Sequence, residues 1–346
     1  MIHCKGSAFE IGFSHGNAAK EKVHHSMQTY ERMFYEYGGF SWKKAQETAL
    51  SHVKAIHAYN AAYLDEMEGL AKGAGVAFED ILTLNARSEI ALVNAPDGCT
   101  SFALTKPVSE RTWLAQNWDW RGEQLESLIH LKIEQNDLPS FQMVTEAGII
   151  GKIGCNEAGI GVCLNALITD AWASKVPIHL GLRAVLESST MEEAVSRVDN
   201  NQMASAAHFL IASGTGEMVS AEVSPVHTAI KKADSGVLSH TNHICSEALR
   251  EKVKENALPN SYVRYDTINQ LLEQLRHKRT DLKEEDLFAL LSNHDHAPNA
   301  ICRHPIPGSI GRERSETVFA IVMNLTDVKL SWVKGRPCEA EAVIRT

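Results

Sequence analysis

The chain of 346 residues contains no long apolar run and none of the common nucleotide-binding or hydrolase motifs. No stretch reaches the ~18 consecutive apolar residues of a membrane span, and the N-terminus lacks the basic segment and apolar run of a signal peptide. GxGxxG, P-loop, GxSxG and HExxH patterns are all missing. We therefore expect neither a membrane segment nor a cleaved leader, and no site of these four kinds.

Clustered positive charge is also lacking. The chain has 34 Lys and Arg against 43 Asp and Glu, a net charge of −9, whereas binding to nucleic acid requires patches of Lys and Arg. The seven cysteines have no CxxC spacing, so the usual zinc and disulfide frameworks are not expected. The sequence predicts no nucleic-acid or membrane partner, no metal, no cofactor, and a reducing, cytoplasmic location.

Hydrophobic residues make up 44% of the chain, enough for a large core in one domain or two smaller ones. In the first hundred residues, which we interpret as helical, one apolar stripe has helical spacing: Ala19, Val23, Met27, Tyr30 and Phe34. Ser41 is the predicted N-cap of a second helix that runs toward Leu70. A third helix is predicted at residues 79–86.

A turn is predicted at residues 94–98, and strands dominate after it. Strands are predicted at residues 100–104, 112–120, 128–134, 141–145, 149–167 with a break at 156–159, 208–212, 217–222, 227–231, 317–324 and 329–333. Helices are predicted at residues 178–188, 191–198, 265–276 and 282–291. Strands in blocks and helices in blocks are typical of an α+β fold whose sheets are covered by helices.

Gly98 and Cys99 lie between the predicted turn and the first of these strands. Gly98 has no Cβ, so its backbone can adopt strained angles that leave its carbonyl open to attack. The Cys99 thiol could add to that carbonyl and form a thioester, and hydrolysis would leave Cys99 as a new N-terminus. Its α-amine, with a pKa of about 7.7–8.0, could then accept the thiol proton. A Gly-Cys pair after a turn is also common as a purely structural feature.

Two polar residues could complete such a site. If residues 100–104 and 112–120 form a hairpin, Asp119 lies near Cys99 and could orient the α-amine; the alternative is a carboxylate in a surface turn. Asn242 belongs to a polar run that follows a strand, and its amide could donate to a developing oxyanion. The alternative for Asn242 is an ordinary polar loop.

Other charged residues leave two interpretations each. Arg303, Arg312 and Arg314 precede the strand at residues 317–324 and could hold a carboxylate or phosphate, or form a solvated basic face. His294, His296 and His304 are of a metal-ligating type, but no fourth ligand has convincing spacing. The sequence therefore predicts no metal site.

Taken together, several motifs in their order along the chain resemble the self-processing acyl-coenzyme A:isopenicillin N (6-aminopenicillanic acid) acyltransferase family of N-terminal-nucleophile enzymes. The matching stretches are FEIG at 9–12, HG at 15–16, DGCT at 97–100, QNWD at 116–119, TEAGIIGK at 145–152, HTNH at 240–243, ICR at 301–303, and Arg314 ahead of Thr317. They extend over almost the whole chain.

The resemblance implies an αββα sandwich, in which two antiparallel sheets lie between helical layers. It implies cleavage between Gly98 and Cys99 into a helical fragment, residues 1–98, and a catalytic fragment, residues 99–346, which together form one domain as a self-generated heterodimer. The site residues it implies are Cys99 as nucleophile, Asp119 as acid, Asn242 as oxyanion amide, Arg314 as active-site arginine and Ser224 as active-site serine, here a substrate-binding candidate. Phe102 and Trp118 are further substrate-binding candidates. Residues 304–316 differ from the family pattern, with Glu313 in place of a serine, which leaves the acyl donor and acceptor open.

We therefore expect an acyltransferase or amidohydrolase that acts through a Cys99 thioester on a small acyl substrate. A thioester can be loaded from acyl-coenzyme A or from an amide, and discharged to an amine or to water. One alternative is an N-acyl amide hydrolase that does not use coenzyme A. The others are a binding scaffold with an inactive site and a metal hydrolase built on the three histidines.

Overall fold

The structure, a computed structural model, describes residues 1–91, 98–233, 235–278, 281–309 and 314–346. The predicted turn lies outside these ranges except for Gly98, and so do Arg312 and Glu313.

The N-terminal part begins with a strand, so the helical interpretation of the first hundred residues is wrong at its start. Strand β1, Ile2–Gly6, buries only Cys4, and so short a segment carries no clear period in the sequence. The helices that follow are α1 Ala8–Ala18, α2 Lys20–Gly38, α3 Trp42–Leu50, α4 Val53–Asn60, α5 Ala62–Ala74, α6 Phe78–Asn85 and α7 Arg87–Ala91.

The predicted apolar stripe of α2 is confirmed, because Val23, Tyr30 and Phe34 are buried on one face of that helix. Ser41 caps α3 as expected, with its side chain accepting from the Lys44 amide. The single long helix predicted from Ser41 toward Leu70 is wrong: the chain turns twice there and forms α3, α4 and α5 instead.

Sheet A has eight strands in the order β1-β4-β5-β6-β7-β8-β9-β10. Strand β1 runs parallel to β4, and every other neighbouring pair in this sheet is antiparallel. The remaining strands are β4 Leu128–Gln135, β5 Phe141–Glu146, β6 Ile153–Asn156, β7 Ile160–Ala166, β8 Ala207–Ser213, β9 Met218–Val223 and β10 Ala229–Lys232.

Sheet B has six antiparallel strands in the order β11-β2-β3-β12-β13-β14. They are β2 Gly98–Leu104, β3 Trp113–Arg121, β11 Val237–His240, β12 Ser315–Asn324, β13 Lys329–Lys334 and β14 Ile344–Arg345. The predicted hairpin of β2 and β3 is confirmed, with Gly98 opposite Asp119 and Cys99 opposite Trp118.

The two sheets lie face to face with helices on both outer sides, as the αββα prediction requires. Along β2, Cys99 and Ala103 join the large core that includes the space between the sheets, whereas Phe102 and Leu104 face the outer helices of sheet B. Those helices are α11 Pro259–Lys278 and α12 Glu284–Leu291; α8 Ile178–Leu186 and α9 Met191–Ser196 lie on sheet A, and α10 is Glu247–Arg250. Among the described helices, none has the length and apolar character needed to cross a membrane.

Candidate active site

Cys99 is the second residue of β2, and its buried side chain lies on the inner face of sheet B. Its backbone is held on two sides. The Cys99 N–H donates to Asn242 Oδ1 over 2.7 Å, and the Cys99 carbonyl accepts from Arg264 Nη1 over 2.5 Å. Two side chains distant in sequence therefore fix the peptide groups that adjoin this cysteine.

Asn242 follows β11 and is itself held firmly. Its backbone N–H donates to Ser261 Oγ at 2.7 Å, and its Nδ2 donates to the Ala166 carbonyl at 3.1 Å. Its Oδ1 accepts from both Cys99 N and Arg264 Nη2, the latter at 2.9 Å. Because both partners are donors, the amide oxygen is the atom that faces the Cys99 backbone. The predicted polar run thus supplies an acceptor at this point.

Arg264 is a site residue that the sequence did not reveal. It lies in the first part of α11 and is buried, with further hydrogen bonds to Thr100 Oγ1 at 3.2 Å and Asn260 Oδ1 at 3.3 Å. An arginine within a polar helical segment has the pattern of a surface residue, so no signal in the sequence pointed to it. Its guanidinium places a permanent positive charge against the Cys99 backbone.

Asp119 is buried at the end of β3 and is no surface-turn carboxylate. Its Oδ1 accepts from Thr317 Oγ1 at 2.7 Å, and that hydroxyl accepts from the Arg303 N–H at 2.9 Å. Side-chain alternation along β3 directs Asp119 to the helix-covered face of sheet B, opposite to the face that carries the Cys99 thiol. Asp119 is therefore placed beside the backbone at Gly98 rather than beside the sulfur.

Gly98 is required for space. A Cβ at this position would lie 2.8 Å from Asp119 Oδ2 and 3.0 Å from Arg303 Nη1. Gly98 begins strand β2, and the strained backbone expected there from the sequence stays a prediction. Asp119 and Arg303 approach the Gly98 backbone so closely that a Cβ at position 98 would require their side chains to shift.

Trp118 lies opposite Cys99 in the register and faces the same core. Lys152 Nζ lies 3.8 Å from its ring centroid and also 2.9 Å from Glu146 Oε2. Arg87 Nε lies 3.3 Å from Glu146 Oε1. Burial raises the pKa of Glu146, but Arg87 and Lys152 outweigh it and the net shift is downward. A buried cluster of two cations and one carboxylate thus adjoins the residue across from Cys99, and the substrate-binding role of Trp118 stays a prediction.

The described contacts of three other predicted site residues do not place them beside Cys99. Phe102 lies on the opposite face of β2, in the core formed with α11 and α12. The Ser224 hydroxyl accepts from the Val226 and His227 amides and donates to the His227 carbonyl, within its own turn. Arg314 is 54% exposed and lies 3.7 Å from Glu123. Of the two predicted arginines that the structure describes, Arg303 and Arg314, it is Arg303 whose guanidinium reaches Gly98.

A buried ion pair anchors the segment that carries Asn242. Glu222 Oε1 accepts from His240 Nε2 at 2.8 Å, and the same carboxylate accepts from the amides of Cys245 and Ser246. Burial lowers the pKa of His240, but Cys245 and Glu222 outweigh it and raise that pKa to about 9. The two residues therefore fix both ends of the loop that holds Asn242.

The architecture is that of the N-terminal-nucleophile hydrolases. The conjugated bile acid hydrolase from Clostridium perfringens, solved as a mutant, matches 72% of this chain and 92% of its own with a TM-score of 0.53 and 15% identity. Penicillin V acylase from Agrobacterium tumefaciens matches 68% of this chain and 83% of its own with a TM-score of 0.45 and 14% identity. The predicted fold class is confirmed.

Sequence similarity identifies the family. A model of the family described as acyl-coenzyme A:6-aminopenicillanic acid acyl-transferase matches residues 107–338. The 40 kDa form of acyl-coenzyme A:6-aminopenicillanic-acid-acyltransferase from Emericella nidulans is 33% identical over 347 residues, which cover 97% of this chain and 93% of that protein. The chain therefore belongs to the acyl-coenzyme A:6-aminopenicillanic acid acyl-transferase family, as its motifs predicted.

Proposed function

We propose that this protein cleaves its own chain between Gly98 and Cys99 and then uses the Cys99 thiol to transfer acyl groups. The observation that carries the proposal is the environment of this one peptide bond. Asn242 holds its nitrogen, and Asp119 and Arg303 crowd the Gly98 Cα on the other side. Three polar side chains thus converge on one buried peptide, and this convergence supports the assignment of that peptide as the reacting bond.

Self-cleavage would proceed by attack of the Cys99 sulfur on the Gly98 carbonyl carbon. The carbon–nitrogen bond breaks as the nitrogen takes up a proton, and the acyl group passes to sulfur. Water then hydrolyses this thioester, which gives a Gly98 carboxylate and restores the thiol. Asn242 Oδ1 accepts from the Cys99 nitrogen before cleavage, and the same oxygen suits the amine that cleavage releases.

In turnover, the free α-amine would act as the base for its own thiol, since its pKa of about 7.7–8.0 suits a proton acceptor near neutral pH. Asn242 keeps a second Nδ2–H besides the one given to Ala166, and this N–H is available for an oxyanion. Arg264 adds a fixed positive charge beside the same backbone. Both groups would stabilise charge that exists only in the tetrahedral state.

The acyl substrates follow from chemistry and family together. A thioester exchanges readily with another thioester, so acyl-coenzyme A can load Cys99, and an amine can then compete with water for the acyl group. The named function of the Emericella nidulans relative supports this transferase direction. A hydrolase of N-acyl amides that does not use coenzyme A is the alternative, since the same thioester can form from an amide. The buried set around Cys99 argues against an inactive scaffold.

We also propose a reducing, cytoplasmic location. The support is limited to cysteine chemistry: the structure contains free cysteines at all seven positions, which suits a compartment that keeps thiols reduced.

Intact-mass measurement of the purified protein tests self-cleavage. We expect wild type to yield pieces of 98 and 248 residues, Cys99→Ala to stay whole, and Cys155→Ala, which removes another buried thiol, to be cut like wild type. An uncut wild-type chain that is nevertheless active would overturn the proposal. Pre-steady-state assays with acyl-coenzyme A esters and with N-acyl amides would then separate the two directions, because the true acyl donor gives a burst equal to the amount of enzyme.

A further inference from the structure

Four metal-ligating side chains converge outside the site described above. His294 follows α12, Cys302 and His304 lie in the next loop, and Cys338 belongs to a short 3₁₀ turn after β13. One ligand atom from each residue lies within 4.8 Å of the ligand atoms of all the others.

The distances within this cluster have the scale of a metal coordination sphere. His294 Nε2 lies 3.0 Å from His304 Nε2, His304 Nε2 lies 3.3 Å from Cys338 Sγ, and the two sulfurs are 3.4 Å apart. Cys302 Sγ lies 4.0 Å from His304 Nε2, and the remaining pairs of ligand atoms lie within 4.8 Å of each other. Tetrahedral zinc, with Zn–S of about 2.3 Å and Zn–N of about 2.0–2.1 Å, places its ligand atoms about 3.3–3.8 Å apart. The four atoms therefore surround a space that one zinc ion fits.

The surroundings of His304 Nδ1, the ring nitrogen that faces away from the cluster, also favour metal binding. His304 Nδ1 lies 3.6 Å from Glu339 Oε1, and Arg336 holds the other Glu339 oxygen at 2.6 Å. A carboxylate beside one ring nitrogen favours the tautomer that leaves a lone pair on the other nitrogen. That other nitrogen, Nε2, is the one that points into the cluster.

We propose that His294, Cys302, His304 and Cys338 bind one Zn²⁺ ion. Binding would release the two thiol protons and form four bonds, two from thiolates and two from neutral imidazoles, so that the site has no net charge. Four protein ligands leave no position for a substrate or water, which makes this a structural site and not a metal hydrolase centre. His296 is exposed and takes no part in the cluster. The proposal reverses the expectation from sequence, which had found no fourth ligand because Cys338 is far along the chain.

The position of the cluster indicates what the metal would do. Arg303 lies between two of the ligands, and its backbone makes hydrogen bonds in both directions with Thr317, at 2.9 Å and 3.0 Å. The Thr317 hydroxyl in turn holds Asp119. The metal would therefore act as a positioning element that fixes the loop from which Arg303 reaches Gly98.

Elemental analysis of the full chain, purified without metal-affinity resin and under reducing conditions, tests the site. We expect about one zinc per chain in wild type and a loss of at least tenfold in Cys302→Ser and in Cys338→Ser. Two controls should retain the metal: His296→Asn, from the same loop, and Cys245→Ser, which disrupts the separate group of Glu222, His240 and Cys245. Zinc retained in both Cys302→Ser and Cys338→Ser, or zinc lost in Cys245→Ser alone, would overturn the assignment.

Cobalt substitution gives a readout that a merely destabilised variant would not imitate. Co²⁺ added to reduced, metal-stripped wild type should give the intense visible bands of tetrahedral coordination and a thiolate-to-metal band in the near ultraviolet, both absent in Cys338→Ser. Absence of these bands in wild type, or a disulfide between Cys302 and Cys338 in protein that takes up no metal, would show that the four residues form no metal site.

Discussion

At the scale of single residues, the site depends on a few side chains that hold backbone rather than on pairs of reacting side chains. Asn242 and Arg264 are hydrogen-bonded to each other and to the two ends of the Cys99 backbone. Each therefore restrains the peptide that we propose is cleaved and would remain beside the nucleophile after that cleavage. Because each residue has a role in both steps, we expect some variants to affect turnover without affecting self-cleavage.

Asn242→Asp should make that separation. Aspartate keeps the oxygen that accepts from Cys99 N and Arg264 but has no N–H for an oxyanion. We expect self-cleavage to persist, while kcat of the processed enzyme falls by roughly 10²–10³-fold with little change in KM. Asn242→Ala, which loses both functions, should be slow in cleavage as well. Mass spectrometry follows cleavage, and steady-state kinetics are restricted to fully processed material. Unchanged kcat in processed Asn242→Asp would remove this amide from the oxyanion site.

Arg264→Met should lower kcat of processed enzyme by about 10²-fold or more, because a fixed positive charge next to developing negative charge is lost. Arg250→Met is the matched control: Arg250 is exposed, its described hydrogen bond goes to the Cys245 carbonyl, and it does not contact Cys99. Thermal unfolding of both variants separates loss of function from loss of fold. Equal activity in the two variants, at equal stability, would show that Arg264 has only a packing role.

The sequence predicted part of this site because strand pairing is a local property. The predicted hairpin brought Asp119 to the peptide at Cys99, whereas Asn242 was a candidate from a polar run and was assigned to the site by the family resemblance. Arg264 was missed because its partners Cys99, Thr100 and Asn242 lie outside α11 and no pattern along α11 reveals them. Phe102 was proposed for the substrate site although the alternation of β2 directs it away from Cys99.

At the scale of elements, helices α1 and α5 make the closest contact in the N-terminal part. A Cβ at Gly12 would lie 1.9 Å from the Glu66 carbonyl oxygen, and one at Gly69 would lie 2.1 Å from that of Phe9. Gly16 and Gly73 have the same relation one turn further along. The motifs at residues 9–16 therefore reflect backbone-to-backbone packing, which only glycine permits at this separation.

Gly69→Ala should push these helices apart. Overpacking a well-ordered interface costs about 1–3 kcal/mol or more, and the atom that it would strike is backbone, which cannot rotate away. We expect a lower midpoint in urea unfolding than for wild type. Asn17→Ala, on the exposed face of α1, should change the midpoint little. A Gly69→Ala midpoint equal to that of Asn17→Ala would contradict the close contact.

The ion pair that anchors the Asn242 segment should make stability depend on pH. The pKa of His240 is raised to about 9 from 6.5, so its contribution is complete below about pH 6.5 and is lost as the pH rises through 9. Glu222 has a lowered pKa: burial raises it, and His240 and backbone N–H groups outweigh that effect. Its contribution is present above 4.5 and is lost as the pH falls through its folded pKa.

We therefore expect the melting temperature to decrease between pH 6.5 and pH 9.5. His240→Gln, which cannot titrate, should show a smaller decrease over the same interval. Differential scanning calorimetry at several pH values measures both slopes. Parallel slopes in the two proteins would mean that the interaction of His240 with Glu222 does not gain from the charge on the histidine.

Most elements of the fold followed from periodicity, and the exceptions have physical causes. Strand β1 and strand β14 are short pieces at sheet edges: β1 depends on pairing with β4, which is distant in sequence, and β14 has only 2 residues. The break of the long helix into α3, α4 and α5 lacks proline or glycine at either turn, so no breaker residue marked it.

At the scale of the whole molecule, the proposed fragments share one core. Strand β1 of the first fragment pairs with β4 of the second over five residues. Tyr30 donates to Glu146, and Asn85 accepts from the Ile150 amide across the same boundary. One broken peptide bond leaves this buried surface in place, so cleavage alone should not separate the pieces.

The shared core can be tested at Arg183 on α8, because this arginine forms ion pairs with carboxylates of both proposed fragments. Its Nη2 lies 2.8 Å from Glu66 Oε2 in the first fragment, and its Nε lies 2.8 Å from Glu187 Oε1 in the second, all three side chains being largely buried. Arg183→Met would leave two buried carboxylates without their cation, at a cost of about 3–5 kcal/mol. Arg111→Met is the matched control, because Arg111 also pairs with two carboxylates but at the surface, where such pairs contribute about 0–1 kcal/mol.

Native gel filtration should show one peak with both pieces for processed wild type and for Arg111→Met. In rising urea, processed Arg183→Met should release the 98-residue piece at a clearly lower concentration than either. Release of that piece from wild type without denaturant would mean that the two fragments do not form one domain.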